Sequence, residues 1–183
     1  MKATTLLFIL LAGAAAPAAA AGDEIQRIRG EGPFERQLLA RGQCSDTFRH
    51  LVTGISASDL IVYVTVRRSL NPSLSGGLLF VAATPGARIL RVLLDTKVDR
   101  NQMAATLGHE LQHALEVARA PEIRTRTVFE TFYHQQGVPS GVANAHDTTE
   151  AREIERVIRA ELGRSVVGST SGEADWCAQQ DSH

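Results

Sequence analysis

Gly108-His109-Glu110-Leu111-Gln112-His113-Ala114 is the stretch on which the reading of this 183-residue chain turns. Leu107, Leu111, Ala114, Leu115 and Ala118 repeat at helical spacing, so a helix is predicted from Asp99 to Ala118. Asp99 or Asn101 serves as its N-cap, with Gln102 placed to complete a capping box. Two histidines four apart on a helix lie about 40° apart round its axis and one turn along it. His109 and His113 can therefore hold one metal ion from the same side, with Glu110 at the flank of that face. Neutral imidazoles leave a zinc ion enough charge to acidify water, and a carboxylate that is not a ligand can take the proton. The bland alternative is a solvated helix face that needs no metal.

Working outward, Leu60 to Val66 is a β-branched and aromatic run that reads as a strand. Leu78 to Ala83 and Arg88 to Leu94 are two more, and the short Thr84-Pro85-Gly86 connection makes that pair an antiparallel hairpin. Short helices are predicted at Phe34 to Ala40 and Ser45 to Thr53, and longer ones at Thr125 to Gln136 and Thr148 to Leu162, the last stopped by Gly163. Arg67 to Gly77 and Ser140 to Ala145 read as connections, and the charged stretch Asp23 to Gly32 as a loosely tied end. The expected fold class is α+β: a short antiparallel sheet packed on the His109 helix and further helices, in one domain spanning 22–183.

Met1-Lys2, the apolar run Thr4 to Ala16 and the small residues Ala18 to Ala21 have the form of a secretory signal peptide, residues 1–21. The apolar run is too short for a comfortable membrane span. Loss of Lys2 takes the formal net charge only from −1 to −2, a balance that offers nothing to nucleic acid or an anionic membrane. The expectation is a secreted or periplasmic monomer whose substrate is a peptide or protein. In an oxidising compartment the two cysteines, Cys44 and Cys177, are expected to form a disulfide. Neither has a neighbour at zinc-ligand spacing.

A catalytic zinc ordinarily has three protein ligands and one open position. The segment His146-Asp147-Thr148-Thr149-Glu150-Ala151 gathers the candidates for the third, Asp147 and Glu150 being three apart on one face. Here the chain resembles the gluzincin group of zincin metallopeptidases, in which an acidic ligand on a later helix joins the two motif histidines. More closely it is similar to small secreted bacterial proteins with a Thr-Phe-Arg segment, a strand like Leu60 to Val66, a Gly-His-Glu-Leu-Gln-His-Ala-x-Glu-Val-Ala helix and a late Glu-Thr-x-x-Ala. The resemblance runs from about Ser45 to Leu162. The late motif reads Asp147-Thr148-Thr149-Glu150-Ala151, with Asp in place of Glu. Register favours Asp147 as the ligand and residue type favours Glu150; His146 would instead complete a three-histidine set.

The function that follows is a zinc-dependent metallopeptidase (Zn2+ at His109 and His113 with Asp147 or Glu150) in which Glu110 is the general base. Tyr133 and His134 are candidates for stabilising a developing oxyanion, against the plainer reading of a helix face. The rival function is a catalytically inactive module of the same fold that binds metal or a partner in the cell envelope.

Overall fold

A computed structural model of the chain describes residues 27–68, 75–136, 138–139, 146–165 and 177. In order these form β1 (Ile28–Gly30), α1 (Pro33–Gly42), α2 (Asp46–Ser56), β2 (Leu60–Arg67), β3 (Gly76–Thr84), β4 (Ala87–Asp95), α3 (Arg100–Arg119), α4 (Arg126–Gln136), β5 (Val138–Pro139), β6 (His146–Asp147) and α5 (Thr149–Ser165). The class is α+β, as expected, and every predicted helix and strand is present. The predicted signal peptide, the Ser140 to Ala145 connection and Trp176 lie outside the described residues.

The sheet departs from expectation in one respect. It is mixed, in the order β1-β2-β4-β3. The hairpin is indeed antiparallel, with Leu78 opposite Val92, but β2 runs parallel to β4, with Val62 opposite Leu90. Strand order in the chain does not reveal adjacency in space: β4 lies between β2 and β3, and β3 takes an edge. The other edge is β1, formed from the stretch that reads as a loose end. Ile28 there is 1% exposed and pairs opposite Val62. A single buried side chain in a three-residue strand leaves no periodic trace in a charged sequence.

Alternation along the central strands sets the two faces of the sheet. Leu60, Val62, Val64, Leu90, Val92 and Leu94 are all fully buried on the helix side. The opposite face carries Tyr63, Arg91 and Glu31, with Arg91 Nη1 2.9 Å from Glu31 Oε1.

The central helix α3 packs against α1, α2, α5, β3 and β4. Its capping follows one of the two expected options: Asp99 accepts from the Gln102 amide at 2.9 Å. The capping box does not form, because the Gln102 side chain reaches Glu155 on α5 instead, at 2.7 Å. Asn101 accepts from Arg41 Nε at 2.7 Å. Gly108 is where α3 and α5 come closest, since a Cβ built there would stand 2.2 Å from Ile158 Cδ1. Gly163 does not end α5, which continues to Ser165 with nothing within 4 Å of a Cβ at that position. The helix-stop reading of that glycine is corrected: an exposed glycine is tolerated inside a helix at a cost of about 1 kcal/mol.

Two buried arginines fix the ends of α3. Arg88, 1% exposed on β4, donates through Nη1 to the carbonyls of Val117 and Ala120, each at 2.7 Å, and pairs with Asp59 at 2.7 Å. Val117 O also accepts from the Ala120 amide and Ala120 O from the Ile123 amide, both at 3.1 Å, so the guanidinium adds a second, charged donor at the negative end of the helix. At the other end Arg41, besides Asn101, donates to the carbonyls of Cys177 at 2.6 Å and Leu162 at 3.3 Å.

The disulfide Cys44–Cys177 is present, closing 133 residues of chain, so the expectation from cysteine count and compartment is met. Chain-entropy arithmetic for such a loop gives about 5 kcal/mol, and measured values run lower, about 2–4 kcal/mol. A Cys44→Ala, Cys177→Ala protein should accordingly unfold at lower urea by about 2–4 kcal/mol. Urea unfolding followed by circular dichroism, with parent and variant side by side, reads this directly. A variant as stable as the parent would mean that Arg41 and the helix contacts alone hold the two ends together. Among the described residues no helix is long and apolar enough to cross a membrane.

Candidate metal centre

His109 and His113 project from the middle of α3 with their rings 4.9 Å apart, edge to face. The solvated-face alternative fails here: His113 is 5% exposed and Glu110 6% exposed. Asp147 comes to the pair from β6, one residue before the cap of α5. Its Oδ1 lies 3.2 Å from His109 Nε2 and 3.7 Å from His113 Nε2. Oδ1 is nevertheless a buried oxygen with no hydrogen-bond partner, because the His109 ring is not aligned to donate to it and His113 stands beyond hydrogen-bond distance. The three donor atoms lie within 4.8 Å of one another. Ligands about 2.0–2.1 Å from a tetrahedral zinc stand about 3.3–3.4 Å apart, which the two measured spacings bracket. Donors that gather without bonding one another are what a shared cation requires, and the chemistry of the set suits zinc.

Glu150 is not part of this group. Its side chain is 59% exposed and lies 3.9 Å from Arg119 Nη1. Of the two candidates, the one favoured by register, Asp147, stands with the histidines; it sits on the strand before the helix, and Glu150 on the helix itself. The side chain of His146 lies outside the described residues.

The far nitrogen of each ring faces another carboxylate. His113 Nδ1 is 2.9 Å from Glu116 Oε2, and His109 Nδ1 is 3.1 Å from Glu155 Oε2, the latter at ion-pair distance without hydrogen-bond alignment. Backing carboxylates of this kind fix the orientation and tautomer of a ligating histidine. Each is itself held. Glu155 accepts from Gln102 at 2.7 Å and from Arg159 at 3.0 Å, while Glu116 accepts from Thr148 Oγ1 at 2.8 Å and from Tyr133 Oη at 3.4 Å. Arg152 Nε holds the outer oxygen of Asp147 at 2.6 Å.

Electrostatics reflect the crowd of acids. Burial works against protonation of His109, but the nearby Asp147 and Glu155 carboxylates outweigh it and hold its pKa up at about 10. His113 is raised to about 9 in the same way, burial being overcome by Asp147 and Glu116. Burial also pushes Asp147 upward, yet the two rings and Arg152 carry it well below the usual carboxylate range. Glu110 is raised by burial, with the charges of His113 and His109 acting in opposition. The Arg152 and Arg159 guanidiniums answer two of the four carboxylates; with both imidazoles neutral, as ligation needs, a divalent cation would balance the other two, and its binding would release the ring protons.

Glu110 lies beside the start of the edge strand. A Cβ on Gly76 would meet its Oε1 at 2.9 Å, so the bare backbone there makes the room this carboxylate occupies. Tyr133 is buried, and its hydroxyl donates to the carbonyl of His113 at 2.9 Å, with its ring edge-on to the His113 ring at 5.2 Å. That committed hydroxyl makes Tyr133 a support for His113 rather than an oxyanion donor, and His134 is exposed. A cleft of about 510 Å³ touches Glu116, Thr148, Arg119, Phe132 and Glu150, but not the three donors.

The sequence reading missed Glu116, Glu155, Gln102 and Thr148. Glu116 was findable, since it lies three residues after His113 on the same helix. Glu155 and Gln102 meet across two helices, and no spacing within either one announces it. Comparison with known protein families, curated proteins and solved structures gave no match.

Proposed function

We propose that this chain is an exported zinc-dependent hydrolase of peptide bonds, of the gluzincin type, with His109, His113 and Asp147 as ligands and Glu110 as general base. The observation that carries this reading is Asp147 Oδ1, a buried oxygen without a hydrogen bond that faces two imidazole nitrogens. Zinc, when bound, polarises a carbonyl and lowers the pKa of water. The chain's own residues do the rest. Glu116 and Glu155 orient the rings, Arg152 and Thr148 hold the aspartate segment, and Glu110 accepts the proton of the attacking water and returns it to the leaving amine. The disulfide and the signal-like start support export from the cytoplasm. The near-complete burial of Glu110 favours a second reading, a metal-binding module without turnover.

The full chain after export should hold about one zinc per molecule by elemental analysis following dialysis against a trace of chelator. Asp147→Ala should lose it, falling by more than the about 10–100-fold typical of an outer partner, while Glu150→Ala keeps the parental content. Zinc retained in Asp147→Ala and lost in Glu150→Ala would reverse the ligand assignment. A parent that binds no zinc would end the proposal.

A further inference from the structure

The third ligand candidate stands on a two-residue strand, β6, whose ladder among the described residues is with the two residues of β5. So short a ladder is marginal by itself. Arg152 holds the outer oxygen of the Asp147 carboxylate, and the next residue, Thr148, ties the same segment to α3. The Thr148 hydroxyl accepts from the Ala151 amide at 3.2 Å, capping α5, and donates to Glu116 Oε1 at 2.8 Å. The other oxygen of Glu116 is the one that meets His113 Nδ1 at 2.9 Å. Asp147, Thr148, Glu116 and His113 therefore form one chain of contacts, tied at the back by one hydroxyl, whose two ends, Asp147 Oδ1 and His113 Nε2, face each other at 3.7 Å. A cap alone needs only the contact with Ala151; the bond to Glu116 adds a tie to α3 that capping does not require.

We propose that Thr148 is the positioning residue of the metal centre, setting Asp147 against His113 through Glu116. This rests on the reading of His109, His113 and Asp147 as zinc ligands. Its removal is expected to lower metal affinity as well as to take away the cap of α5.

Zinc(II) affinity of the disulfide-bonded full chain, measured by competition with a chromophoric chelator, tests it. Thr148→Val should bind zinc about 10–100-fold more weakly than the parent, the range for outer partners, and Thr148→Ser should stay within about threefold. In a Glu116→Ala background the same Thr148→Val change should cost no more than about twofold, since the two groups act as one unit. Parental affinity in Thr148→Val overturns the inference, and so does an undiminished loss in the Glu116→Ala background, which would reduce Thr148 to a helix cap. Should Thr148→Val lose the parent's near-ultraviolet dichroism, Thr148→Ala takes its place with the same expectations. A parent without zinc affinity overturns the functional proposal and this inference with it; a parent that binds zinc regardless of Thr148 overturns this inference alone.

Discussion

Glu110→Gln should hold as much zinc as the parent and cleave any peptide the parent cleaves at least about 100 times more slowly. General-base catalysis is commonly worth 10²–10⁴-fold, and the amide keeps the shape of the side chain while giving up the proton acceptor. Two features of the structure sharpen the expectation. Glu110 follows His109 directly on α3 but is not among the three gathered donors, so its loss leaves the ligand set intact. Burial raises its pKa, and a divalent cation held by the two histidines would pull it back toward the ordinary carboxylate range, ionised and able to take a proton. The measurement pairs single-turnover cleavage of a peptide-library hit with elemental analysis of the same sample. Parental cleavage by a zinc-loaded Glu110→Gln protein would discard the mechanism, and a parent that binds zinc yet cleaves nothing across the library would favour the binding module.

Arg88→Met should cost about 3–5 kcal/mol in urea unfolding, a large share of the stability of a domain this size. Methionine fills much the same volume but gives up the charged bonds to the carbonyls of Val117 and Ala120, both at 2.7 Å, which keep only their backbone donors, and a hydrogen bond to a charged group carries about 1.5–3 kcal/mol. Asp59 contributes less, because its side chain is 35% exposed and can return to water. Its pKa is lowered by Arg88 beside it, so its share of stability is present above the ordinary carboxylate value and fades as acid takes the solution down through the depressed one. A variant within about 1 kcal/mol of the parent would show that water can replace the guanidinium at the end of α3.

The elements of this fold were legible where a long run of residues obeyed one period. Leu60 to Val66 and the Leu107 to Ala118 stripe are such runs, and both occur within a residue or two of their expected limits. The Pro-Gly turn likewise announced its hairpin. Pairing between distant segments was not legible. Nothing in Ile28-Arg29-Gly30 states that it will lie beside β2, and nothing in the hairpin states that β4 and not β3 will meet β2. The same division runs through the candidate site. His109, Glu110 and His113 were evident because one helix sets their geometry, and Asp147 could be shortlisted from its register before Ala151. Choosing it over Glu150 required knowing that the chain enters α5 from an extended segment, so that position 147 faces inward while position 150 turns out toward Arg119. Arg88 and Arg41 gave no warning at all. A buried arginine is an exception to the ordinary distribution of charge, and its partners here are main-chain carbonyls, which have no letter in the sequence.

Those two arginines bear on which ion such a cradle would accept. With its last carbonyls gripped by Arg88 and its first turn tied through Asn101 to Arg41, α3 has little freedom to slide or swivel. The ordering entropy of its two imidazoles is then met when the polypeptide folds, not when an ion arrives. A stiff cradle also discriminates. One that could adjust would follow the general rise in divalent affinity toward copper, whereas two fixed nitrogens and one short carboxylate penalise a cation that wants a square or octahedral shell. Selectivity between neighbouring transition metals would thus be written about 9–15 Å from the ion along the helix axis, in the anchoring of a helix at its two ends.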